Sequence, residues 1–385
     1  MAVCFALNAV LYANLVPRLP EVRDDLGLSN TALGAALAAL PLGALVVGPA
    51  AAALMARWGS GRLASGGLVV LGVAVAAVPL ASSWWQLAGA LLVAGAMDAL
   101  VDVGQNAHGL RVQRGYGRSI LNALHGLWSI GAVVGGLLGS AAAGLGVPLG
   151  AHLGTSAVVF GVLALAVSRW MLPGPDGTAE DGPHPPEAAA PAPDGTGAST
   201  RGSALLALSV LGVLAAGAAV VEDSASSWSA LYLRDDLAAG AVTAGLGFVS
   251  FQLAMTLGRL TGDRVVDRFG QRRVARVGGA LVALGMGGAL AVPSAPSTLA
   301  GFALAGLGVA TLVPAVYAAA DGLPGLRPGV GLTAVNWLLR VGFLVAPPLT
   351  GLIADLASLR VGLLLVVVAG LAVLVLGRSL RPAVT

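Results

Sequence analysis

Twelve stretches of this sequence are long and apolar enough to cross a lipid bilayer, and that feature restricts the possible folds more than any other. A hydrocarbon layer about 30 Å thick needs about 20 mostly apolar residues of helix to span it. Between charged residues and Pro/Gly breaks, such runs lie near Ala2 to Val16, Thr31 to Ala56, Leu63 to Ala81, Trp85 to Ala107, Ser119 to Leu145 and Leu149 to Leu172. Six more lie near Ala204 to Ser226, Ala241 to Val266, Val274 to Pro293, Pro296 to Ala320, Gly329 to Ile353 and Leu359 to Gly377. An all-α integral membrane protein is expected. No basic stretch precedes the first run and no small-residue cleavage site follows it, so a retained helix is expected there, not a signal peptide.

The rest of the composition excludes most chemistry. With 57% of 385 residues hydrophobic and 10% charged, the chain cannot cover a water-soluble globule with polar surface. The single cysteine, Cys4, offers no internal disulfide and no redox pair. Every basic residue apart from four histidines is arginine, so a phosphate-binding P-loop lacks its lysine and an ATP-driven pump is disfavoured. There is no G-x-S-x-G, H-E-x-x-H or G-x-G-x-x-G pattern, and the histidines are scattered, so neither an enzyme nor a cofactor or metal site is expected.

Pro173 to Ser203 is rich in Pro, Gly, Ala, Asp and Glu and cannot bury a core, which predicts a flexible linker. It divides the chain into a six-helix unit over 1–172, a linker over 173–203 and a second six-helix unit over 204–385. The units are related in sequence. RDDL occurs at Arg23 to Leu26 and again at Arg234 to Leu237, an offset of 211 residues from 23 to 234. Gly34 and Gly245, Arg57 and Arg268, Gly59 and Gly270, Arg62 and Arg273, and Ala64 and Ala275 follow in the same register. Six crossings separate the copies, so the halves should be parallel, related by an axis along the membrane normal. With the N-terminus cytoplasmic, fifteen arginines fall in inside loops, Arg57, Arg62, Arg111, Arg114 and Arg169 among them. Only Arg18, Arg23, Arg234 and Arg360 fall outside. That asymmetry predicts cytoplasmic termini and a cytoplasmic linker.

The sequences ARWGSGR after the second run and GRLTGDRVVDRFGQRR after the eighth resemble the G-x-x-x-D-R-x-G-R-R signature of the major facilitator superfamily. In the second copy Asp267, Arg268, Gly270 and Arg272 match, Asp263 takes the leading Gly position and Arg264 follows it. The first copy keeps Arg57, Gly59 and Arg62 but has Ala56 in place of the Asp and Ala52 in place of the Gly. DVGQNAHG, HGLWSIG and EDSASSWSALYLRD are similar to a little-characterised bacterial branch of that superfamily. The resemblance implies twelve membrane helices in two pseudo-symmetric bundles and a multi-pass solute transporter of the bacterial inner membrane. It also implies a small-molecule substrate, no nucleic-acid partner, a monomer, and a central cavity lined by the first, fourth, seventh and tenth helices. The signature itself should act as a latch on the cytoplasmic side, a carboxylate at a helix end facing arginines of the next loop.

Ionisable residues inside a bilayer are costly and mark functional positions. Asp98 and Asp102 lie one turn apart on one helix face, with Asn106 a turn further on; two such carboxylates repel, which favours uptake of a proton. Arg340 falls near mid-membrane and needs a carboxylate or an anionic ligand; Asp98, at similar depth in the other half, is one candidate. Glu222 and Asp223 are adjacent, so only one is expected to face the cavity centre, with Arg18 a partner for the other. Asn106, Asn122 and His125 are expected to form a hydrogen-bonded cluster. Asn8, Tyr12, Trp228, Tyr317, Asn336 and Trp337 are the remaining polar or aromatic candidates for the cavity wall. A secondary active transporter coupled to protons follows, with efflux placed ahead of sugar-like uptake. The absence of proline from the Gly131, Gly135, Gly136 and Gly139 stripe weakens an export assignment. A non-transporting sensor or scaffold on the same fold is the alternative.

Overall fold

The computed structural model describes residues 1–117, 120–172, 198–321, 323, 326 and 329–380. Among these, twelve helices are long and apolar enough to span a membrane. In the first half they are α1 (Ala2–Asp25), α2 (Asn30–Trp58), α3 (Ser60–Leu80), α4 (Trp84–Tyr116), α5 (Leu121–Gly144) and α6 (Leu149–Ser168). In the second they are α7 (Ala204–Asp236), α8 (Ala241–Phe269), α9 (Gln271–Ala291), α10 (Ala295–Asp321), α11 (Val330–Leu356) and α12 (Leu359–Ser379). No strand occurs among the described residues. With twelve described crossings, the start of α1 and the end of α12 lie on one face, here the termini face.

Polar residues at the ends of the apolar runs set the boundaries. Ser29 caps α2 by accepting from the backbone N–H of Ala32, Ser294 and Ser297 form a capping box at α10, and Ser358 caps α12. Gly59 and Gly270, equivalent in the repeat, turn the chain from α2 to α3 and from α8 to α9 with φ of 83° and 81°, a region that favours glycine. Two boundaries differ from the sequence expectation. The RDDL tetrapeptides are the last turns of α1 and α7 and not loops. Helical structure leading into α7 starts at Ala198, so 198–203 extend the helix; 173–197, the rest of the expected linker, lie outside the described residues.

Packing repeats as the sequence does. In the first half α1 packs on α5, α2 and α3 on α4, and α3 on α6; in the second, α7 packs on α11, α8 and α9 on α10, and α9 on α12. The halves meet where α5 packs on α8 and where the first part of α2 packs on α11. Glycines permit the closest approaches: a Cβ on Gly95 would run into the backbone carbonyl of Leu40, and Gly131, Gly135 and Gly139 of α5 lie against the α1 backbone. Gly136 of the same stripe instead faces Phe248 and Val249 of α8 across the seam. Exposed Leu80, Leu145, Val158 and Leu284 belong to the apolar outer surface that lipid would cover.

Candidate substrate cavity and its gates

A cavity of about 300 Å³ lies on the seam between the halves. Asn8 and Tyr12 (α1), Pro41 (α2), Asp98 (α4) and Trp128 (α5) line it from one side. Glu222, Asp223, Ser226 and Ser227 (α7), Phe248 and Gln252 (α8), and Arg340 and Phe343 (α11) line it from the other. The expected contribution of the tenth helix is absent from this lining; α2, α5, α8 and α11, with Leu71 of α3, join α1, α4 and α7 instead.

Two hydrogen bonds order the first-half wall. Asn8 Nδ2 donates to Asp98 Oδ1 at 3.1 Å, and Trp128 Nε1 donates to Asn8 Oδ1 at 2.9 Å, so the indole fixes which end of the amide meets the carboxylate. Opposite, Ser227 Oγ donates to Asp223 Oδ1 at 2.8 Å, while Asp223 Oδ2 is buried without a partner among the described residues. Glu222 and Asp223 both reach the cavity, contrary to the expectation that one would turn away. Positions 100° apart on a helix can share a wall that curves around it, and the chain widens into a π-turn at Ser224–Trp228 just beyond. Arg340 lines the cavity with no ion pair or hydrogen bond to any described residue, so the pair with Asp98 is not made in this conformation.

Two further spaces adjoin the cavity on the termini side. One, of about 270 Å³ between α2, α4 and α11, shares Asp98 and Arg340 with it and adds Asp102, Asn336 and Trp337. The other, of about 720 Å³ between α5, α8 and α10, shares Trp128 and adds Asn122, His125, Arg259, Asp263 and Asp267. Toward the opposite face the way is shut by the repeated tetrapeptides. Arg23 pairs with Asp235 at 2.7 Å, and Arg234 pairs with Asp24 at 2.9 Å. Beside them Asp355 at the end of α11 accepts from the backbone N–H groups of Asn30 (3.0 Å) and Thr31 (2.7 Å), holding the start of α2. At the repeat-equivalent junction Gly144 of α5 meets the side chain of Val242 on α8, an apolar contact.

The signature residues fit a cavity open toward the termini face. Asp263 and Asp267 form no ion pair among the described residues, and the Arg268 guanidinium lies 5.5 Å from the Phe269 ring centre. Arg272 Nε donates to the carbonyl of Arg378. The ion pair expected between Asp267 and its arginines is not made among the described residues, and Arg264 makes no polar contact within them.

Other expected contacts are replaced. Arg18, 1% exposed, binds Glu21 through two bonds (2.7 and 2.6 Å), the Val147 carbonyl and His152 Nδ1, not Glu222 or Asp223. The 3₁₀ turn at Val16–Arg18, where Pro17 interrupts the helix, directs it toward α6. Asn106 donates to Asp102 at 2.9 Å, within its own helix, and joins neither Asn122 nor His125; His125 instead meets Phe5 edge-on at 5.2 Å. Trp228 is fully buried against Gly351 and off the cavity wall, and Tyr317 donates to Asn336 at 2.9 Å away from it. Trp128, Gln252 and Phe343 were not anticipated. A polar Gln in an apolar run, and a Trp three residues after His125, were the available signals. Nor were His108, buried and bonded to Ser60 at 2.9 Å, and the part-buried His152, bonded to Asn14 at 3.0 Å.

The Major Facilitator Superfamily sequence model matches residues 1–235 and 213–384, covering both copies of the repeat. The chain belongs to the major facilitator superfamily. An uncharacterised MFS-type transporter of Yersinia pestis is 30% identical over 93% of this chain and 88% of its own length. The membrane protein MosC of Rhizobium meliloti is 29% identical over 96% of this chain and 86% of its own. Among solved structures, a mutant of the nucleoside transporter NupG superposes with a TM-score of 0.76 at 11% identity, covering 98% of this chain and 96% of that one. A bacterial homologue of the human lysosomal transporter Spinster, inward-facing and occupied, gives 0.68 at 14% identity, covering 98% and 94%. At those identities the likeness is one of fold. The protein is a multi-pass membrane transporter of the superfamily.

Proposed function

We propose that this protein is a secondary active transporter that moves a small polar or charged organic solute by alternating access, coupled to protons. The single observation that carries the reading is the make-up of the seam cavity. Carboxylates from both halves, Asp98 on one side and Glu222 and Asp223 on the other, share it with Arg340, which makes no ion pair or hydrogen bond with any described residue. A guanidinium cannot deprotonate to escape its burial, so an acceptor group of the solute is its natural partner. A proton on Asp98 would remove the attraction Arg340 feels across the seam. Solute and proton thus bias the rocking of residues 1–172 against 204–385 through the same few atoms. The arginine asymmetry supports cytoplasmic termini in a bacterial inner membrane, and the sealed interface between halves supports a monomer as the working unit.

The test is a thermal-shift screen of metabolites and antibiotics, followed by counterflow of the hits in proteoliposomes with and without a pH gradient. A hit should exchange across the membrane, and wild-type protein should accumulate it when a gradient is imposed. Asp98→Asn should keep exchange and lose gradient-driven accumulation. A ligand that binds and shifts melting but never crosses would replace this reading with that of a membrane sensor.

A further inference from the structure

A second charged cleft, away from the seam, is unaccounted for by transport. It has a volume of about 790 Å³ on the termini face and is built by the end of α2, the first turn of α3, and the ends of α4 and α6. Arg57, Arg62, Arg111 and Arg169 line it, and no carboxylate does among the described residues. Arg57, Arg62 and Arg169 make no ion pair or hydrogen bond with any described residue.

The repeat shows that the first half lacks an acid that the second half has at the corresponding turn. Asp267 stands beside the corresponding turn of the second half, and at the equivalent position, 211 residues earlier, the first half has Ala56, which lines the cleft. The first half thus carries the arginines equivalent to Arg268 and Arg273 without the acid equivalent to Asp267. The first turn of α3, after Gly59 at φ 83°, adds the positive end of a long helix. We propose that this cleft binds a phosphate-bearing anion, its oxygens bridging Arg57, Arg62 and Arg169. Guanidinium groups suit phosphate because they offer paired donors in one plane. Trp58, half-exposed on the cleft, and Trp170, 80% exposed next to Arg169, set it at the depth of lipid headgroups. Headgroup phosphate and free phosphate share this chemistry.

The experiment follows the melting temperature of delipidated, detergent-solubilised full chain at low ionic strength as phosphatidylglycerol, phosphatidylcholine or inorganic phosphate is added. Phosphatidylglycerol or inorganic phosphate should raise it in a concentration-dependent way and phosphatidylcholine should not. A response to the lipid alone assigns the headgroup, and a response to phosphate alone assigns the free ion. The Arg57→Gln/Arg62→Gln/Arg169→Gln variant should weaken the apparent affinity roughly a hundredfold, about fivefold for each guanidinium. Ala56→Asp, which removes no arginine, should weaken it by supplying the missing anion from the chain. No rise with either anion, or wild-type affinity in both variants, would overturn the proposal.

Discussion

Arg23 and Asp235 form a 2.7 Å ion pair across the seam on the face opposite the termini, and the repeat makes the pair reciprocal, because Arg234 returns the contact to Asp24. An axis that carries position 23 onto 234 and 24 onto 235 brings each arginine to the other copy's acid. The recurrence of a charged tetrapeptide in an otherwise apolar chain thus has a physical reason: it is the seal between the halves.

The seal should be weak enough to open. Its residues are partly exposed, and such pairs contribute about 0.2–1 kcal/mol each. Replacing Arg23 and Arg234 together by Ala should therefore shift the balance toward the form open on that face by roughly fivefold. Thiol labelling of a single cysteine in the cavity, in a Cys4→Ser background, reads this directly.

Asp355 should matter in the same sense. It accepts two backbone N–H groups at the start of α2, and losing such a cap costs about 1 kcal/mol. Asp355→Ala is expected to raise labelling from the opposite face, and Asp355→Asn, which keeps an acceptor, to raise it less.

Close helix contact within a half is a separate requirement. Gly95→Ala places a methyl against the Leu40 carbonyl and should lower stability by about 1–3 kcal/mol, seen as a lower melting temperature. Gly154→Ala, with open space around it, should change it by less than about 1 kcal/mol, and upward if at all.

Arg340→Gln tests the cavity. Uptake should fall at least tenfold, the effect of losing a charge-assisted contact of about 1.5–3 kcal/mol, while expression and melting temperature hold. Retained uptake with unchanged pH dependence would remove Arg340 from the transport path.

Much of the fold was legible because it rests on two quantities a sequence carries openly, the length of its apolar runs and the 211-residue register. Helix ends were less legible. RDDL reads as a loop by hydropathy, yet it continues α1 and α7, because each arginine finds its acid on the other half. The cavity was legible at Asn8, Tyr12, Asp98, Glu222, Asp223 and Arg340, where a polar residue interrupts an apolar run. It was not legible at Arg18, whose direction depends on a 3₁₀ turn, nor at Trp228, where an aromatic serves packing. The contribution of α8 through Gln252 follows from how α8 packs on α5 across the seam, which no local pattern records.

In the proposed cycle the two halves rock about the shared cavity, which RDDL pairs seal here on the face opposite the termini. Double electron–electron resonance between spin labels at Gly27 and Ala239, and separately at Gly115 and Asp321, measures both faces in one background. Removing the Arg23 and Arg234 side chains should lengthen the first distance and shorten the second. Distances that both stay fixed, or that change together in the same direction, would contradict the account.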